Sequence, residues 1–62
     1  MSFTAWLIKN GVIGYDDLGR LTKQWTADTG NSRRTNRFLF ARYMQEKFPD
    51  QYIAYLAYIR LT

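Results

Sequence analysis

The sequence contains neither cysteine nor histidine, and this absence limits how a chain of 62 residues can be stabilised. A domain of this size buries only about 60% of the surface that its unfolded chain exposes. Many small domains add a disulfide or a Cys/His zinc site, but the side chains for both are missing here. Apolar packing must therefore hold the fold. Two Trp, five Tyr and four Phe residues supply large side chains for it.

Capping residues, glycines and a single proline divide the chain into segments with helical periodicity. Ser2 can cap a first helix, which Asn10 and Gly11 end. Asp16 is the predicted N-cap of a second helix, and Gly30 is its predicted end. These signals predict a short first helix and a longer second one.

The start of the third helix decides where its arginines point. Several polar residues between positions 31 and 35 can cap it. A start at Arg33 would place Arg33 and Arg37 on or beside the apolar arc of the helix. We therefore favour a start near Thr35, which leaves Arg33 and Arg34 in an exposed connection.

The fourth helix is predicted to begin at Pro49, because proline is tolerated in the first turn of a helix. Its apolar stripe at helical spacing consists of Tyr52, Tyr55, Leu56 and Ile59, and it is widened by Ile53 and Ala57. We expect this helix to be packed on more than one side, at the centre of the core. The residues predicted to form the core of the domain are Trp6, Leu18, Leu21, Trp25, Phe40, Tyr43, Leu56 and Ile59.

No hairpin signal, internal repeat or linker interrupts the pattern, so residues 1–62 are predicted to form a single all-α, four-helix domain. The longest uncharged apolar run, from Tyr52 to Ile59, is far shorter than the roughly 20 residues of a membrane span. The sequence opens without the features of a secretory signal. We expect a cytoplasmic domain that does not interact with membranes.

Several motifs resemble a known family. They are a Ser-Phe-x-x-Trp-Leu start at residues 2–7, an Asp-Leu-Gly-Arg-Leu stretch at 17–21, a Tyr-Met pair in the third helix and an aromatic last helix. This pattern is similar to that of YozE-type, sterile-alpha-motif-like (SAM-like) domains, which are small bacterial proteins of uncharacterised function. The resemblance implies a SAM-like orthogonal four-helix bundle and a bacterial or phage-like source, but no activity. The chain departs from the family in being basic.

The charge of the chain is concentrated in one segment. Residues 29–45 contain arginines and no acidic residue, whereas the other charges cancel, so this segment accounts for the formal net charge of +4. A localised basic surface favours anionic partners. The candidate contact residues for nucleic acid, another anion or a protein are Arg33, Arg34, Asn36, Arg37 and Arg42.

Two kinds of binding fit the sequence. Guanidinium groups pair with phosphates, which makes DNA binding through Arg33 to Arg42 the alternative hypothesis. Base stacking is disfavoured, because the aromatic residues fall at core spacing. We favour a protein partner or self-association, since Tyr and Arg are enriched at interface hot spots. The residues predicted for that interface are Tyr52, Tyr55, Tyr58 and Arg60.

Enzymatic activity is not expected. Each of the five acidic residues is explained as a helix cap, a first-turn charge or a surface residue. The glycines match neither phosphate-loop nor dinucleotide spacing. We therefore predict no catalytic, metal-binding or cofactor-binding residues, no cofactor and no small-molecule substrate. The predicted function is that of a non-catalytic helical binding module.

Overall fold

A computed structural model describes residues 1–61 and confirms the all-α architecture: the chain forms four helices, with no strand among the described residues. Short connections join the helices. None of the helices in this part of the chain is long and apolar enough to cross a membrane. The helices are α1 (Phe3–Lys9), α2 (Tyr15–Thr29), α3 (Arg37–Lys47) and α4 (Pro49–Leu61).

The ends of α1 follow the predicted signals. Ser2 is the N-cap, and its hydroxyl accepts a hydrogen bond from the Ala5 amide at 3.2 Å. Asn10 closes the helix, and its side-chain amide donates to the Trp6 carbonyl at 2.8 Å. Gly11 then turns the chain with φ +71°, a left-handed conformation that glycine adopts without strain.

The start of α2 differs from the prediction. Gly14, not Asp16, is the N-cap, and Asp17 accepts a hydrogen bond from the Gly14 amide at 2.8 Å. That bond, followed by the side-chain bond from Arg20, lowers the pKa of the Asp17 carboxyl. The stabilisation is present at neutral pH and is lost as the pH falls through the lowered pKa. Gly30 ends α2 in the left-handed conformation, as predicted.

The buried core is made mainly by the first three helices. Of the predicted core residues, Leu18, Trp25 and Phe40 are buried, whereas Trp6, Leu21, Tyr43 and Leu56 are half-buried. Leu7 and Met44 are completely buried, although they were not among the predicted core residues. The buried set comprises Phe3, Leu7, Ile13, Leu18, Trp25, Phe40 and Met44.

The fourth helix is not the centre of the core, contrary to the prediction. It contributes no buried residue. Tyr52, Tyr55 and Leu56 are half-buried on its inner side, whereas Ile59 is 41% exposed. α4 packs mainly against α1 and α3. Within residues 1–61 no element covers the opposite side, where Ile53 is 67% exposed and Leu61 is 89% exposed.

Ring contacts divide the aromatic residues into two groups. The α2–α3 aromatic cluster contains Trp25, Phe40 and Tyr43, whose ring centroids lie 5.3 to 6.4 Å apart. The α1–α4 aromatic cluster joins the first helix to the last. It consists of Phe3, Trp6, Tyr52, Tyr55 and Tyr58. Trp6 and Trp25, both predicted to form the core, therefore belong to different clusters.

Candidate functional site

Three of the predicted arginines come together beside the N-terminus of α3. Arg33, Arg34 and Arg37 line one open depression of about 460 Å³. The fourth, Arg42, does not line this depression; it is exposed and paired with Glu46 across one turn of α3, at 3.4 Å. The structure thus assembles a cluster of three guanidinium groups, which we call the arginine cluster.

The arginine cluster is built on a turn that precedes α3. The amide of Asn36 donates to the Ser32 carbonyl at 2.9 Å, which closes one helical turn containing Arg33 and Arg34. α3 itself begins at Arg37, close to the predicted start near Thr35. The first turn of α3 therefore carries an arginine and no acidic residue. Cations are weakly unfavourable at this end of a helix, by a few tenths of a kcal/mol.

The sequence predicted that Arg33 is exposed in the connection before α3, but the structure shows otherwise. Arg33 is half-buried, and its guanidinium carbon lies 4.7 Å from the centre of the Phe40 ring. A guanidinium nitrogen also donates to the Thr22 hydroxyl at 3.3 Å. A cation over an aromatic face is attracted by the electron density of the ring. Arg33 is therefore held in place before any partner binds.

Asn36 turns towards its own loop. Its side-chain amide donates to the Ser32 carbonyl at 3.2 Å and to the Thr35 hydroxyl at 3.1 Å. It is the N-cap of α3 by backbone position, but its side chain makes no capping hydrogen bond. Its amide thus braces the loop that carries the arginines, and partner contact by Asn36 remains a prediction.

The arginine cluster has no carboxylate beside it. Within residues 1–61 the ion pairs are Arg20 with Asp17 and Arg42 with Glu46. Neither pair includes Arg34 or Arg37. Both of these side chains are exposed, so their charges are available to an anion from solution.

Of the tyrosines in the predicted protein interface, two pack against α1 and one is exposed. Tyr52 and Tyr55 pack on Phe3, with ring centroids 5.2 and 5.3 Å away. The Tyr55 hydroxyl also donates to the Met1 carbonyl at 2.6 Å. Tyr58 is 37% exposed beside Trp6, and Arg60 is exposed in the last turn of α4. Tyr58 and Arg60 are therefore the predicted interface residues most available to a partner.

A second surface on α4 was not predicted. Ile53 is 67% exposed and Leu61 is 89% exposed. At about 100° per residue both lie more than about 100° from the middle of the tyrosine stripe that packs on α1. Ala54 and Ala57 are exposed between them. We call these four residues the outer face of α4. Ile53 and Ala57 were predicted to widen the core stripe of α4, and their exposure contradicts that prediction.

Two aromatic residues are also exposed outside any core. Phe38 is 80% exposed on the first turn of α3, and Tyr15 is 78% exposed at the start of α2. Their exposure contradicts the expectation that the aromatic residues occupy core positions. Phe38 was recognisable, since at about 100° per residue it lies opposite the apolar arc of α3.

The acidic residues do not converge. No group of three potential metal-ligating side chains occurs within residues 1–61. Asp17 serves the N-terminus of α2, as described above, and Glu46 pairs with Arg42. The absence of catalysis and of a cofactor remains a prediction.

Comparison with known proteins leaves this geometry as the basis for any functional argument. No family model, curated protein or solved structure matches the chain. The resemblance to YozE-type domains therefore stays a prediction, as does the orthogonal SAM-like arrangement it implies. The four-helix, all-α architecture stands on the helices themselves.

Proposed function

We propose that this domain is a non-catalytic protein-interaction module, and that the outer face of α4 binds a second copy of the chain. The observation that supports the proposal is the exposure of Ile53 and Leu61, at 67% and 89%, on a helix with no buried residue. Exposed apolar surface that is rimmed by polar residues is typical of an interaction site. An apolar partner surface would remove it from water.

A second copy fits this face because the face is self-complementary in charge. Asp50 lies in the first turn of α4 and Arg60 in the last, equally far from the middle of the helix, and both are exposed. If two α4 helices pack antiparallel, Asp50 of each copy lies near Arg60 of the other. A two-fold axis thus generates two ion pairs from a single arrangement.

The apolar residues obey the same symmetry. Ile53 and Ala57 are also equally far from the middle of α4, so an antiparallel pair brings the isoleucine of one copy onto the alanine of the other. The small side chains at positions 54 and 57 allow two helices to approach closely. Ile53 would thus face a small residue across the axis.

The size of the face sets the expected strength. The described chain has a total accessible surface of 4653 Å². A typical stable interface takes about 800 Å² from each partner, and interfaces well below that size are weak or transient. The outer face of one 13-residue helix is smaller than this. We therefore expect a reversible dimer whose population depends on concentration.

Sedimentation velocity tests the proposal. The unmodified domain should shift from monomer to dimer between about 10 μM and about 1 mM, where a small interface is expected to associate. Ile53→Asp should keep it monomeric throughout, since a charge would be buried at the centre of the interface. Phe38→Asp is the matched control, because it places the same charge at an exposed apolar position on α3. Circular dichroism should report unchanged helicity for both variants.

A charge exchange tests the identity and direction of the partner. Asp50→Arg and Arg60→Asp should each weaken the dimer, because like charges then meet across the axis. The double variant restores opposite charges and should recover association. A domain that stays monomeric at all concentrations would overturn self-association. A dimer that persists in Ile53→Asp would place the interface elsewhere.

The expectations about location, source and enzymatic activity rest on the sequence and the family resemblance. A cytoplasmic location and a bacterial or phage-like source are implied by the sequence pattern and the family resemblance alone. We retain them as proposals, together with the absence of enzymatic activity. The α4 experiments do not depend on any of them.

A further inference from the structure

The exposed aromatic residues Phe38 and Tyr15 border a single furrow on the surface that carries the arginine cluster. Two depressions, of about 360 and 250 Å³, share Ser2, Thr4 and Arg33 in their walls, so they adjoin. Phe38 lines the first depression and Tyr15 lines the second. Two exposed rings therefore border a furrow whose common wall contains a fixed guanidinium group.

The furrow is positively charged. Arg33 lines both depressions, and Arg37 lines the one that contains Phe38. Arg33, Arg34 and Arg37 also line the neighbouring depression of about 460 Å³. No acidic residue lines any of these three depressions. A polyanion that enters the furrow therefore meets guanidinium groups and hydroxyl groups but no carboxylate.

The furrow also has a rigid part and an adaptable part. Arg33 is held by the Phe40 ring and the Thr22 hydroxyl, so its guanidinium keeps one position. Arg34 and Arg37 are exposed and have no acidic partner within residues 1–61. One guanidinium is thus preorganised, while two others can follow a flexible chain of phosphates.

We infer that this furrow binds single-stranded nucleic acid, with Phe38 and Tyr15 as stacking platforms for bases and the arginine cluster as the phosphate contact. Unpaired bases expose their faces and stack on aromatic side chains, whereas a duplex hides them. A basic groove with accessible aromatic rings is the usual design of proteins that bind single strands without strong sequence preference. Basic residues alone would fit an acidic protein equally well; the exposed rings favour the nucleic acid.

Fluorescence anisotropy with labelled oligonucleotides of about twelve residues tests the inference, a length within the usual site size. The probes are oligothymidylate, oligouridylate and a mixed-sequence duplex of the same length. At least one single strand should bind more tightly than the duplex, and the comparison of the two strands identifies DNA or RNA. Contact with three phosphates predicts a slope near −2 for log K against log salt, at about −0.7 per phosphate.

Variants separate stacking from charge. Phe38→Ala should reduce single-strand affinity by about fivefold to a hundredfold, which is the usual range for removal of a stacked ring, and Phe38→Trp should preserve it. Arg37→Ala should weaken binding and make the salt slope shallower by about 0.7. Leu39→Ala is the matched control for the ring, as it removes an exposed apolar side chain from the next position. Lys23→Ala controls for the loss of one positive charge elsewhere.

Several results would overturn the inference. These are no binding of any strand at low salt, equal binding of duplex and single strands, or unchanged affinity in Phe38→Ala. Tighter binding of polyglutamate, with the same dependence on Arg37, would assign the furrow to an acidic protein instead. Ile53→Asp should leave single-strand binding intact, because the outer face of α4 lies on a different helix from the furrow. A failure of one proposal therefore leaves the other in place.

Discussion

The two aromatic clusters have similar ring geometry but different burial. Ring centroids lie 5.3 to 6.4 Å apart in the α2–α3 aromatic cluster and 5.2 to 6.5 Å apart in the α1–α4 aromatic cluster. Trp25 and Phe40 in the first are only 5% and 3% exposed. In the second, Phe3 is 7% exposed, but Trp6 is half-buried and Tyr58 is 37% exposed. Contact between rings is therefore not sufficient to make a core.

The difference arises from what covers each cluster. Arg33 lies over the Phe40 ring, and the fully buried Met44 belongs to the same core as Trp25 and Phe40. The α1–α4 cluster lies between α1 and α4, and within residues 1–61 its Trp6 is only half-buried and its Tyr58 is exposed. The α2–α3 cluster can thus supply stability, while the α1–α4 cluster and the adjoining face of α4 remain available to a partner.

Removal of one ring from each cluster is the most direct test of this contrast. Trp25→Ala should cost about 3–5 kcal/mol, because it leaves a large cavity in a closed core. Small domains are only marginally stable, so this variant should be largely unfolded at 25 °C. Thermal denaturation followed by circular dichroism measures the effect.

Tyr58→Ala is the matched change in the α1–α4 aromatic cluster. It removes a ring that is 37% exposed, and its cost should be well below that of Trp25→Ala. Equal losses from the two substitutions would mean that the two clusters contribute equally to stability. A well-folded Trp25→Ala variant would show that the α2–α3 cluster is not the centre of stability.

Helix ends were largely predictable from the sequence, because capping is local. Ser2, Gly30 and Pro49 each act within a few residues of their own position, and the structure confirms all three. The exception is the start of α2, where Asp17 reaches back to the Gly14 amide. An acidic residue can cap a helix from its third position, and two adjacent aspartates leave that choice open.

Burial was less predictable, because it depends on how many neighbours a helix has. The apolar residues of α4 suggested a helix packed on more than one side, but it packs mainly against α1 and α3 and contributes no buried residue. Ile53 lies about 110° from the middle of the inner stripe at 100° per residue, so a narrower stripe was also readable. Periodicity gives the direction of a side chain, whereas the number of packed neighbours decides whether it is buried.

The candidate site was predicted in part. The sequence grouped four arginines by proximity along the chain, and the fold assembles Arg33, Arg34 and Arg37 but leaves Arg42 on an ion pair with Glu46. The contact of Arg33 with Phe40 was not predicted, because the helical periodicity that begins near Thr35 does not extend to Arg33 in the preceding turn. Loop residues that fold back on a helix carry no periodic signal.

Arg33→Ala tests whether the side chain over the Phe40 ring stabilises the α2–α3 cluster. It removes the contact with the Phe40 ring and the hydrogen bond to Thr22, and it should cost about 1 kcal/mol. Arg34→Ala is the matched control, because the same charge is lost from an exposed position; its effect should stay within about 0.5 kcal/mol. The sequence alone predicts no loss for either variant. Equal denaturation midpoints in urea would support that simpler view and contradict a structural role for Arg33.

The smallest expected effect concerns the hydrogen bond between Tyr55, in the α1–α4 aromatic cluster, and Met1. Tyr55→Phe keeps the ring packed on Phe3 and removes only the hydroxyl that donates to the Met1 carbonyl at 2.6 Å. That bond is exposed to water, so its loss should cost about 0.5 kcal/mol, at the low end for a hydrogen bond. Tyr52→Phe is the control on the same helix, because within residues 1–61 no hydrogen bond of its hydroxyl is found.

Urea denaturation and amide exchange at residues 2–5 distinguish two ways of holding the N-terminus. Faster exchange in Tyr55→Phe, with no change in Tyr52→Phe, would show that the hydroxyl fastens the chain end to α4. If neither variant alters exchange, ring packing alone keeps α1 and α4 together. Both aromatic clusters would then be held by packing of their rings. Exposure to solvent would be the main difference between the α1–α4 cluster and the α2–α3 cluster.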